Sequence, residues 1–130
     1  MRNKNNLVQA WLNKADKDLL TAKREFSFED PVIESVCFHS QQATEKYIKA
    51  YLVYKDIPFP KSHDIGKLID LLDQNEKELH EYKDIADTLT DYGVEIRYPD
   101  INDIPEKEEA KEALAITIKF RELITSKIRS

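Results

Sequence analysis

Val8, Leu12, Ala15, Leu19, Ala22 and Phe26 recur at alternating steps of four and three residues. A strand repeats its faces every second residue, so this rhythm fits only one stripe of an α-helix. It predicts a first helix from about Leu7 to Phe26, with Trp11 bordering the stripe and Lys14, Lys17, Asp18 and Arg24 on other faces. The rhythm returns from Pro31 to Lys55, where Val32, Val36, Ala43, Tyr47, Ala50 and Tyr54 form one row. Ile33, Cys37, Ile48 and Tyr51 widen that row to nearly half the cylinder, which implies more than one neighbour. Phe38, Leu52 and Val53 interrupt the opposite side and point to a further contact with a helix or subunit. A short third helix carries Ile65, Leu68, Ile69 and Leu72. A fourth carries Leu79, Tyr82, Ala86 and Leu89 and ends near Gly93. A fifth carries Ala110, Ala113, Leu114, Thr117, Phe120, Ile124 and Ile128. Two glycines are too few for the turns of a β-rich fold. The expectation is all-α: an up-and-down antiparallel bundle of four long helices plus one short helix, in one domain spanning 1–130.

Punctuation supports these limits. Asp30-Pro31 reads as an N-cap followed by proline at the first helical position. Ser62 or Asp64 can cap the third helix, and Asn75 with Glu78 resembles a capping box. Pro105 with Glu106, Glu108 and Glu109 suits the positive N-terminal end of the fifth. With short connections, sequential helices run antiparallel, which puts the 57–63 and 94–104 loops at one end.

A net charge of −5 and a pI near 5.3 argue against a broad nucleic-acid-binding surface but leave room for a local basic cleft. The single cysteine, Cys37, rules out an internal disulfide and suits a reducing cytoplasm. No apolar run is long enough to span a membrane, and the start leads into a charged helix rather than a signal core. Gly66 and Gly93 are isolated, so neither a Walker A loop nor a dinucleotide fingerprint is present. His39, His63 and His80 lack ligand-like spacing, and no metal or other cofactor is expected.

Three segments concentrate polar chemistry. Ile96-Arg97-Tyr98-Pro99-Asp100 displays an arginine, a tyrosine and a carboxylate on a loop, where Pro99 keeps Tyr98 out of the α region. The planar fork of Arg97 matches phosphate. On the second helix Ser35, His39, Gln42 and Lys46 fall within one arc, with Lys49 beside them and Glu45 further round. Such a stripe can hold a phosphate or a base, and it is also what any amphipathic helix carries. Ser62-His63-Asp64 offers backbone N–H groups at a helix start, or a routine cap.

The run from Cys37 to Ala50, containing His39-Ser40-Gln41-Gln42-Ala43-Thr44-Glu45-Lys46, resembles the signature second helix of HEPN domains. Pro60-Lys61-Ser62-His63-Asp64-Ile65 is similar to the segment that follows it, and Arg97-Tyr98-Pro99-Asp100 resembles the later signature of one subgroup. The opening Trp11-Leu12, Lys14-Ala15 and Asp18-Leu19 also fit, so the resemblance spans nearly the whole chain. It implies a helical bundle, commonly a homodimer, frequently paired with a separate minimal nucleotidyltransferase in toxin–antitoxin modules. Some members are metal-independent ribonucleases that use an arginine and a histidine with four to six residues between them. After Arg97 those positions hold Asn102, Asp103 and Ile104, so the nuclease pair lacks its histidine and no catalytic residue is assigned.

The sequence therefore favours a non-catalytic HEPN module that binds nucleotide or RNA. Arg97, Tyr98, Asp100, His39, Gln42, Lys46, His63 and Asp64 are its candidate ligand-binding residues. The alternatives are a metal-independent endoribonuclease with an altered active site and a structural dimerisation module.

Overall fold

The computed structural model describes residues 3–93 and 105–129. Three long helices form its frame: α1 (Lys4–Phe26), α2 (Ile33–Tyr54) and α6 (Lys107–Arg129). Between α2 and α6 lie three short ones, α3 (Ile65–Asp70), α4 (Lys77–Glu81) and α5 (Lys83–Asp87), and a 3₁₀ turn at Thr90–Gly93. The all-α class holds. The stretch expected as a fourth long helix is instead divided at Tyr82 and again after Asp87. Residues of low helix propensity explain the second break. Thr88 bonds back to the Ile85 carbonyl, while Asp87 and Thr90 turn toward the start of α3.

α1 begins earlier than its apolar stripe because Asn3 caps it, its Oδ1 accepting from the Asn6 N–H at 2.8 Å. Val8, Ala15, Leu19 and Ala22 are buried as the rhythm predicted. α2 starts two residues later than expected. Asp30 does not cap it; Val32 occupies the cap position, and its N–H donates to Glu25 Oε2 at 2.9 Å. Asn75 and Glu78 form no capping box, since Glu76 holds that position without a side-chain bond. At α6 the Glu109 carboxylate reaches back to the Glu106 N–H at 2.6 Å.

α2 is the central helix, packed on α1, α3, α6 and the 3₁₀ turn. Tyr47 through Leu52 are six consecutive buried residues, so every face of that stretch is covered. Leu52, expected on an outward side, is fully buried within the chain, while Phe38 and Val53 are half-buried.

Strict alternation of successive helices is not kept, and the reason lies after α2. Asp56 takes φ 59°, the left-handed turn that ends a helix. The Ile57 N–H then donates to the Leu52 carbonyl and the Asp56 N–H to that of Val53. Residues 57–63 next run back along α2. Lys4 bonds the Tyr54 carbonyl at one end of this course, and Gln41 bonds the His63 carbonyl at the other. From residue 54 to residue 41 the helix rises about 20 Å, a distance that about six extended residues cover. The loop thus uses up one pass of the bundle, and α6 lies parallel to α2. Rising positions on α2 meet rising positions on α6: Thr44 bonds Thr117, and Tyr47 and Arg121 share Asp16. Further on, Tyr51 and Lys127 share Glu76.

Candidate ligand-binding site

Gln41, Glu45 and Lys49 stand at intervals of four on α2 and so share one face. Glu45 is 2% exposed and Lys49 6%. Gln41 donates to Glu45 Oε1 at 3.1 Å, and Lys49 Nζ to Oε2 at 2.7 Å. The returning loop sets His63 above them, its Nδ1 at 3.0 and 3.2 Å from the two Glu45 oxygens. A carboxylate only accepts, so Nδ1 carries a proton, and Nε2 accepts when the ring is neutral and donates when it is charged. The His63 side chain is 73% exposed, and Nε2 is its outward nitrogen. A buried carboxylate therefore aims an imidazole at solvent.

Gln41 ties this dyad to both flanking segments. It donates to the His63 carbonyl at 3.3 Å and accepts from Gln42 at 2.8 Å. A methyl group at Gly93 would come within 2.8 Å of the Gln41 amide, so the end of the 3₁₀ turn packs closely on Gln41 and any larger residue would displace that amide. Lys49 is wedged under two rings, 5.5 Å from the centroid of Trp11 and 5.8 Å from that of Phe59. Those rings meet edge to face at 6.3 Å.

The expected polar stripe divides between two settings. Gln42 joins the Gln41 group. His39 and Lys46 instead turn toward α1, where Asp18 accepts from His39 Nδ1 at 2.9 Å and from Lys46 Nζ at 2.5 Å. Asp64 caps α3 by accepting from the Lys67 N–H at 3.0 Å. Beside it Asp87 accepts from Gly66 N–H and Thr90 Oγ1, both at 2.8 Å. Burial pushes the Asp87 carboxyl up, but the bonds from Thr90 and Gly66, with the charge of Lys83, outweigh it and hold the group below its ordinary 3.8. Arg97, Tyr98 and Asp100 lie outside the described residues. Among the described residues no three His, Cys, Asp or Glu side chains are grouped to hold a metal, and no helix is long and apolar enough to cross a membrane.

By helical spacing alone, Glu45 and Lys49 stand at the margin of the stripe, and Trp11 and Phe59 belong to no site. The available signal was the spacing of Gln41, Glu45 and Lys49 on a helix whose other faces are apolar.

The HEPN domain family model matches residues 8–128. The chain belongs to the HEPN family. No curated protein matches it. Among solved structures it is similar to ST0689, an archaeal HEPN homologue, at 21% identity and a TM-score of 0.70, covering 98% of this chain and 99% of that one. It is also similar to TT1696 from Thermus thermophilus, at 24% identity and a TM-score of 0.72, covering 92% of this chain and 97% of that one. At these identities the likeness speaks for the HEPN fold.

Proposed function

We propose that this HEPN domain binds a nucleotide or RNA phosphate at the edge formed by His63, Gln41 and Gln42. The carrying observation is the exposed His63 imidazole, held by a carboxylate that is 2% exposed. A buried ion pair such as Glu45–Lys49 adds little net stability compared with apolar packing. Its worth on this reading is positional: it fixes His63 and leaves Nε2 outward. Arg97 and Tyr98, four and five residues beyond Gly93, supply a phosphate clamp and a stacking surface. Asp100 orients Arg97 or accepts from a ribose hydroxyl. Asp64 organises the loop through its cap, while His39 and Lys46 brace α2 against α1. The HEPN resemblance adds a homodimer and a minimal nucleotidyltransferase as the partners to test.

Calorimetric titration of short RNAs and nucleoside phosphates tests the reading. Wild type should bind, and His63→Ala and Arg97→Ala should each weaken binding by about tenfold, the worth of one charge-assisted hydrogen bond. Equal binding by all three proteins, or by none, rejects it.

The dyad favours one alternative reading. An imidazole oriented through Nδ1 by a carboxylate is an arrangement for a general base. Nε2 would take the proton of a ribose 2′-OH, the 2′-oxygen would attack phosphorus, and the P–O5′ bond would break as the departing 5′-oxygen takes a proton from water. Metal-free cleavage of RNA to 2′,3′-cyclic ends, lost in His63→Ala, is its signature. Intact RNA after prolonged incubation at high protein concentration excludes it.

A further inference from the structure

Beside the Trp11 and Phe59 rings that contact Lys49, the surface opens into a groove of about 570 Å³, within the size range of small-molecule sites. Leu7, Trp11, Ile57 and Phe59 are among its walls, and all four are half-buried, so their outer faces reach the groove. Lys4 and Asp56, paired at 3.2 Å, are the charged groups of its lining. Lys49 connects this groove to the dyad: its ammonium lies against Trp11 and Phe59 and bonds Glu45, which in turn holds His63.

Resting on the nucleotide reading above, we infer that this groove receives the base of the bound nucleotide, stacked on Trp11 and Phe59. A base is flat and apolar on its faces and polar at its edges. The groove answers both properties, with aromatic walls for the faces and a donor–acceptor pair, Lys4 and Asp56, for an edge. Every base has a π-face, so such a pocket needs no basic surface and works on a chain of net charge −5. The two rings are also pre-positioned, since Lys49 beneath them is fixed by the buried carboxylate. Phosphate recognition at His63 and base recognition at the two rings are thus joined through one ion pair.

Trp11 is the only tryptophan of the chain, so its emission reports this groove. The test titrates the full chain with AMP, ribose 5-phosphate and inorganic phosphate, followed by Trp11 fluorescence and by calorimetry. AMP should quench Trp11 and bind at least about fivefold more tightly than ribose 5-phosphate, the lower bound for one stacked base. Phe59→Leu should abolish that preference while ribose 5-phosphate binds as before. Ile57→Ala, checked for folding by circular dichroism, provides a second wall variant should Phe59→Leu unfold. Equal affinity for AMP and ribose 5-phosphate, or an AMP preference untouched in both wall variants, overturns the base pocket and leaves phosphate binding standing. Failure of all three ligands and of short RNAs to bind overturns both.

Discussion

At the scale of single residues, the Glu45–Lys49 pair is the most consequential contact. Glu45→Gln keeps the shape but leaves an ammonium 6% exposed without its counter-charge. It should cost about 3 kcal/mol in urea denaturation, and Glu45→Gln with Lys49→Met should recover most of that loss. A single variant and a double variant of equal stability would contradict this view of the pair. Asp56 offers a prediction of opposite sign. Its left-handed φ of 59° is the conformation glycine adopts without strain, and the Lys4 ion pair it would give up is solvent-exposed. Asp56→Gly should therefore stabilise the chain by about 0.5–1 kcal/mol, read as a higher urea midpoint. Neither residue announces its role in sequence. Glu45 is a charged residue on what reads as a helix flank, and Asp56 is one polar residue in a run before Pro58. Their environments come from chain segments distant in sequence, which periodicity does not register.

At the scale of elements, the long helices were legible and the short ones were not. α1 and α6 present one apolar stripe each, and Val8, Ala15, Leu19 and Ala22, like Ala110, Ala113 and Phe120, are buried where the spacing placed them. The 77–93 stretch has helical spacing too, but Asp87, Thr88 and Thr90 prefer bonds to carbonyls and to the start of α3 over continuing the helix. That junction is tight. A methyl group at Gly66 would lie 2.8 Å from the Asp87 carboxyl carbon, so Gly66→Ala should separate α3 from α5 and cost about 1–2 kcal/mol in thermal or chemical unfolding. Asp87 also links this junction to pH. Its carboxyl is lowered in the folded chain, so the native state binds fewer protons than the unfolded state as pH falls through the ordinary carboxylate value. The contribution is present above pH of about 4 and is lost below it. Asp87→Asn should flatten the acid limb of the stability curve between about pH 5 and 3, and an unchanged limb would count against the junction.

At the scale of the molecule, the HEPN fold leaves an alkaline signature. Tyr47 and Tyr51 are almost fully covered on α2. Burial, followed by the hydrogen bonds to Asp16 and Glu76, raises both phenols well above their ordinary 10.0. A raised acid contributes stability below its unfolded value and loses it as pH climbs past that value. Spectrophotometric titration of the six tyrosines should show two that ionise only as the far-ultraviolet helix signal collapses. Six phenols ionising together near pH 10, with the helices intact, would contradict the packing around α2. The candidate site was legible in part at this scale. Its loop at His63 was visible in sequence, while the charged residues beneath it and the rings beside it required the chain to be folded.

The course of residues 57–63 has one further consequence. This strap spans much of α2 without belonging to any helix, so its length is not tied to helical register. An insertion beside Lys61 would move His63 without recutting the packing of Leu52, Ile65 or Phe120. The fold therefore separates a surface that can be retuned from a frame that cannot, and 60–62 is the natural graft point for giving this bundle a different ligand.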